Sequence, residues 1–337
     1  IQKPVLKKQG RTMPGPSLPF TTPAFPNTQR QNPKNIMKLK FNRHLLPSVA
    51  FLSLTSPAFA ATWIGIDNLA NNFNTGANWD TSVVPSNTTP IIIGSGATVN
   101  VNGGLNRAAN TTLDGSLTIS SNLNNNNGSG TSPTFTVNSG GSFTQTGGNY
   151  FIGAANSGTG TTTFTQNGGS VNVTALRGFQ VSDGAGFAGR TGTFNINGGT
   201  FSATVANDSI GEIYNGFLAG RAGGTIPDSF NVAGGTATIS VPVTALTRRF
   251  TLTNGSSLNV SSGSLSVNGF QATRLGYDDG NITDTVGTTS KVTVSGGSLT
   301  FAMAGTGRFF NVGATTNYHG AIVVTGGALN ISGGSFN

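Results

Sequence analysis

The sequence predicts an all-β chain wound as a parallel β-solenoid, and three observations carry that prediction. The first is a unit typified by Thr193 to Ala203, T-F-N-I-N-G-G-T-F-S-A, in which apolar residues alternate with polar ones on both sides of a Gly pair. Period-two alternation broken by a turn reads as strand, tight turn, strand. The second is recurrence: Phe164 to Val171, Phe230 to Ala237, Val292 to Leu299 and Ile322 to Leu329 repeat the frame of Phe194 to Phe201, with the outer apolar positions seven residues apart each time. The third is the interval. The second Gly of successive units falls at 141, 148, 169, 199, 235, 297 and 327, with Ser262-Gly263 as a degenerate copy, and from 169 onward the spacings are 30, 36, 28, 34 and 30. A period near 30 residues belongs to stacked-repeat architectures.

Between these units lies a second module in which an apolar run meets Gly: Phe151-Ile152-Gly153, Phe217-Leu218-Ala219-Gly220, Leu275-Gly276 and Phe309 to Gly313. Each repeat of roughly 30 residues then supplies about three short strands, and each buries its apolar positions only by stacking on its neighbours. Stacked β-hairpins are the competing geometry. Asn-Gly flanked by alternation is the strongest short hairpin signal, and Phe194 would face Phe201 across a turn at Asn197-Gly198. The copies at Asn167 and Asn197 carry that Asn; the others carry Ala, Ser or Thr.

Composition agrees with a Gly-rich β-repeat and narrows the partners. Of 337 residues 50 are Gly and 22 Phe, and only 8% are charged. Gly is about twice its usual frequency, but the apolar residues are patterned, which argues against plain disorder. The net charge is +8 and the pI about 10.2, yet residues 1–60 hold nine Lys/Arg and no acid. The remainder has 18 − 9 = 9 basic and 10 acidic residues, a net of −1. A body this neutral has no electrostatic footprint for a phosphate backbone, so nucleic acid is not an expected partner. The absence of Cys excludes disulfides and thiolate chemistry.

In chain order, residues 1–36 carry seven Pro and no hydrophobic period, and are expected to be disordered sequence upstream of a start at Met37. Residues 37–60 read as a signal peptide: basic Lys38, Lys40 and Arg43, an apolar run from Leu45 to Leu54, and an A-F-A site ending at Ala60, with cleavage between Ala60 and Ala61. The apolar run is too short, and too broken by Pro47 and Pro57, for the ~20 residues that span a bilayer. Residues 61–121 should form an N-terminal cap and the first coils, 122–131 (N-L-N-N-N-N-G-S-G-T) a polar loop, and 132–337 the main repeats. The ending G-G-S-F-N matches Gly140 to Thr144, so further repeats and then an anchor or translocation domain are expected beyond Asn337.

Trp63, Gly65, Asn78-Trp79 and Pro85, together with phrases such as G-T-T-T-F-T-Q-N-G-G-S-V, resemble the opening and repeats of bacterial autotransporter-like passenger proteins, including those with PEP-CTERM sorting tails. The resemblance spans residues 61–337. It implies a right-handed parallel β-helix, secretion to the bacterial cell surface with outer-membrane association, and adhesin or stalk function toward surface glycans or extracellular matrix. Membrane contact would then come only through a C-terminal anchor.

Residues with chemical potential are few. Carboxylate clusters are what catalysis on a β-helix requires, but residues 61–337 hold a single Glu, Glu212. Asp278, Asp279 and Asp284 form one dense acidic stretch that lacks calcium-loop spacing and reads as a turn. His319 has no second His with which to build a metal site or triad. No catalytic, cofactor or metal residues are therefore assigned. Trp63 and Trp79 are read as cap or core packing before glycan stacking.

Arg177, Arg249, Arg274 and Arg308 each shortly precede an apolar residue of the second module. At equivalent coil positions they would form a column able to meet acidic glycans, or would bind backbone carbonyls at coil edges. The reading is a secreted, non-enzymatic surface protein. Its rivals are a polysaccharide-active β-helix enzyme, disfavoured by scarce carboxylates, and an ice-binding solenoid. The latter is raised by T-x-T pairs at Thr134/Thr136, Thr161/Thr163 and Thr191/Thr193, which do not keep one spacing through every coil.

Overall fold

A computed structural model describes residues 59–65, 72–125, 132–148, 150–152, 160–175, 179–181, 190–205, 216–219, 227–242, 249–276, 288–304, 308–313 and 319–337. The leader and residues 1–36 lie outside these, save Phe59 and Ala60. The fold is all-β, a parallel β-helix, and among the described residues its one helical piece is a 3-10 turn at Gly76–Asn78. One sheet has 17 strands and a second has nine. The nine-stranded sheet supplies one strand per coil, from Leu105–Arg107 to Ser335–Phe336. It contains every Gly-ended apolar run singled out above, so each coil has three strands.

Register settles the hairpin question. Arg190–Ile196 pairs in parallel with Gly160–Gln166 on one side and Ser229–Ser240 on the other, with Phe194 opposite Phe164 and Phe230. The strand that follows it, Thr200–Val205, pairs instead with Ser170–Ala175 and Ser229–Ser240. The Gly pair is thus a corner between two faces of one coil, not a hairpin tip. Strict alternation from Phe194 would carry residues 198, 200 and 202 inward, but Phe201 and Ala203 are the buried ones. The corner shifts the phase by one residue, which is why a seven-residue spacing is compatible with two inward side chains.

Gly is required at that corner for two reasons. Gly199 has φ +76°, and a Cβ there would stand 2.3 Å from the Gly169 carbonyl oxygen of the preceding coil. Any side chain would meet both the left-handed penalty and the neighbouring backbone. Gly147-Gly148, by contrast, lies between the second and third strands of its coil, Ser142–Gln145 and Tyr150–Ile152, and so belongs to a different corner.

Inward positions stack into ladders. One runs through Ala61, Ile91, Thr111, Phe135, Phe164 and Phe194, then Phe230, Leu258, Val292 and Ile322. Phe135, Phe164, Phe194 and Phe230 stack with planes 11–15° from parallel. Phe201, arriving from the next face, meets Phe194 edge-on at 5.0 Å. Burying each ring contributes about 1.5–3 kcal/mol. The first coils are shorter than the later period: Ile91 to Thr111 is 111 − 91 = 20 residues and Thr111 to Phe135 is 135 − 111 = 24.

One sequence assignment changes. Leu123–Asn125 is a strand in the nine-stranded sheet, paired with Leu105–Arg107 and Tyr150–Ile152, so the segment that begins at Asn122 opens as ladder and not as loop. Leu123 and Asn125 are both fully buried, so a polar residue at an inward position of the Asn run concealed a strand. Residues 126–131 lie outside the described residues. Gln166, by contrast, keeps the inner position of the repeat frame although it is polar, in a core ladder between Val137 and Ile196. Its Nε2 donates to the Thr200 carbonyl of the next coil at 2.9 Å, so an amide replaces apolar packing by tying two coils together.

The first coil is closed by aromatic side chains. Trp63 and Trp79 pack edge-to-face at 5.2 Å, Phe73 packs on Trp79 at 5.0 Å, and Trp79 Nε1 donates to the Phe73 carbonyl at 2.9 Å. Both indoles are buried, Trp79 completely, which places them in the cap and leaves no face for a sugar.

Candidate functional surfaces

The predicted arginine column does not form among the described residues. Arg249 stands opposite Gly216 and Ala272, with Phe309 next in line. Arg274 stands two residues further along, opposite Thr251 and Asn311. Arg308 precedes Phe309 and so occupies a third position. Position relative to an aromatic residue was a poor proxy for register, because a slip of one residue turns a side chain to the other face. Arg274 is buried, with its guanidinium 5.5 Å from the centre of the Phe309 ring. Arg308 donates from Nε to the Ala304 carbonyl, the backbone-capping role. Arg177, Asp278, Asp279, Asp284 and Glu212 lie outside the described residues. His319 is exposed and pairs through its backbone with Thr289.

The arginine that sequence reasoning missed is Arg107. It sits at an inward position beside Asn125 of the next coil and is almost completely buried. Its guanidinium donates to the carbonyls of Ser86, at 2.8 Å, and Thr89, pinning the segment that leads from the cap to the first full coil. Burial pulls its pKa down to about 10, which leaves it protonated at neutral pH. Alternation around Leu105 was the available signal, since Arg107 shares the parity of Leu105 and Leu123.

The outward faces carry order that the sequence disclosed only in part. At the turn between the first and second strands, Asn197 donates to Asn167 at 3.0 Å, Asn167 to Asn138 at 3.2 Å, and Asn138 to Asp114 at 2.8 Å. Asn259, Asn231 and Asn195 form a second ladder with 2.8 Å steps. The Asn read as a hairpin signal is therefore a ladder rung. Recurrence of Asn at one repeat position was the signal that could have found it.

Threonines on the first strand align over few coils: Thr163 pairs with Thr134 and Thr193, and Thr161 with Thr191. The column of Thr136 and Thr165 then gives way to Asn195.

The second strand of each coil is more regular. One column runs from Thr98 through Ser116, Ser142, Ser170, Thr200 and Thr236 to Ser264, Ser298 and Ala328. A parallel column two residues on runs from Asn100 through Thr118, Thr144, Asn172, Ser202 and Thr238 to Ser266, Thr300 and Asn330. Both contain only Ser, Thr and Asn, with one Ala, and neither holds a charge or an aromatic ring. The first-strand face, in contrast, includes Ile92, Lys291 and Val323.

No family model, curated protein or solved structure matches the chain.

Proposed function

We propose that this chain is an exported, non-enzymatic surface protein whose stacked coils present uncharged polar columns to a partner outside the cytoplasm. The observation that carries the reading is the division within each coil, with apolar ladders inside and polar ladders such as Asn195, Asn231 and Asn259 outside, held in register from coil to coil. Many weak contacts held at fixed spacing reinforce one another, because after the first the rest form at high effective concentration. The likeness of Trp63, Gly65 and Asn78-Trp79 to the opening of autotransporter-like passengers supports an adhesin or stalk role toward surface glycans or matrix. Export is supported by the position of the first described strand, Ala61–Thr62. Ala61 is fully buried and bonds to Pro90, whereas Phe59 is 81% exposed, so the A-F-A site falls at the edge of the solenoid.

The test is expression of the full chain, tagged at its C-terminus, in a Gram-negative host. Intact mass of the exported product should place its first residue at Ala61, and that product should bind a panel of immobilised glycans and matrix polymers. Cytoplasmic retention with residues 1–60 intact overturns export; exported, folded protein that binds nothing on the panel overturns the contact role.

A further inference from the structure

We infer that the second-strand face is an ice-binding surface. Its two columns form a two-dimensional lattice whose spacings are set by the backbone: about 4.8 Å between coils, and about 6.6 Å between outward residues of one strand. Side chains at the lattice points are short, and the β-branched Thr among them is stiff at χ1, so little rotamer entropy is lost when they are held. Each hydroxyl both donates and accepts, as a lattice water does. The hydroxyls are also largely free for such contacts. Among the described residues, the hydroxyl pairs on this face are Ser142 to Ser116 at 2.7 Å and Thr204 with Ser240 at 3.4 Å.

Charge selects the occupant. The columns are neutral through every coil from Thr98 to Ala328, while Lys291, Arg249 and Arg274 stand on strands of the other faces. An acidic polymer or anionic membrane would find no counter-charge here. A neutral polysaccharide would find hydroxyls but no aromatic ring on which to stack a sugar, so the glycan or matrix contact proposed above is left to the Asn ladder of the first-strand face. Ordered water, being neutral and periodic in two directions, matches both properties of the face. This rests on the proposed extracellular role only for where contact occurs, since partition into ice is measured on purified protein whatever its route of export.

The experiment uses the full chain in dilute buffer, measuring the fraction incorporated into a slowly grown ice crystal and the growth of grains in annealed polycrystalline ice. Wild type should enrich in ice and slow grain growth. Thr238→Tyr, mid-face and paired with Ser202 and Ser266, should lower the active concentration range at least tenfold. Thr165→Tyr on the first-strand face should leave it unchanged. If Thr238→Tyr shifts the unfolding midpoint, Ser266→Tyr on the next coil replaces it. Folded wild type that stays in the liquid overturns the inference, as does equal loss in Thr165→Tyr. Retention on insoluble cellulose or chitin that Thr238→Tyr abolishes, without ice activity, assigns the face to a neutral polysaccharide instead.

Discussion

Phe194 stacks on Phe164 of the preceding coil with ring centroids 4.4 Å apart and planes 15° from parallel, while Phe230 covers its other side at 4.9 Å. A third ring, Phe201, closes the pocket edge-on. Truncation here removes a large buried ring and strands three others, so Phe194→Ala should cost about 3–5 kcal/mol. Chemical denaturation checks it: a loss below about 1 kcal/mol would mean that Phe194 is not in the core.

Two glycines should respond in opposite ways to the same methyl group. Gly199→Ala forces a left-handed conformation and a 2.3 Å approach to the Gly169 carbonyl, and should unfold the coil or lower stability by about 2 kcal/mol or more. Gly94→Ala meets nothing within 4 Å and should stay within about 0.5 kcal/mol of wild type. Thermal midpoints of the two variants separate these outcomes.

Arg107→Met should destabilise the junction between cap and coils, because the Ser86 and Thr89 carbonyls lose their donor at about 0.5–1.5 kcal/mol for each hydrogen bond. The pH dependence has a definite sign. A base whose folded pKa lies below its unfolded value costs stability while charged, in full below about pH 10. That cost is relieved as pH rises through 10 toward the guanidinium's ordinary, higher value. Wild type minus Arg107→Met should therefore be flat from about pH 6 to 9 and rise above about pH 10 in urea titrations.

Asn231 donates to Asn195 and accepts from Asn259, both at 2.8 Å. Asn231→Ala breaks both bonds and should cost about 0.5–1.5 kcal/mol for each. A double-mutant cycle with Asn195→Ala should return a coupling of about 0.5 kcal/mol or more. Additive losses would mean that the rung does not act as a ladder.

What the sequence determined by itself was everything local or periodic. Alternation around Phe194 and Phe201, the Gly pair between them and their return at about 30 residues placed the strands, the turns between them and the inward residues, because side-chain parity and turn chemistry are properties of neighbouring residues. Tertiary structure decided what each strand pairs with. Asn197-Gly198 is compatible with a hairpin tip and with a coil corner; only the non-local register of Phe194 with Phe164 and Phe230 selects the corner. For the same reason the arginine column dissolved into three register positions, and Leu123 left its polar loop for the core. Arg107 entered the interior because carbonyls from residues 86 and 89 reach it there. The continuous neutral face from Thr98 to Ala328 exists only once the coils are stacked, since its lattice points lie 18 to 36 residues apart in the chain and about 4.8 Å apart in space.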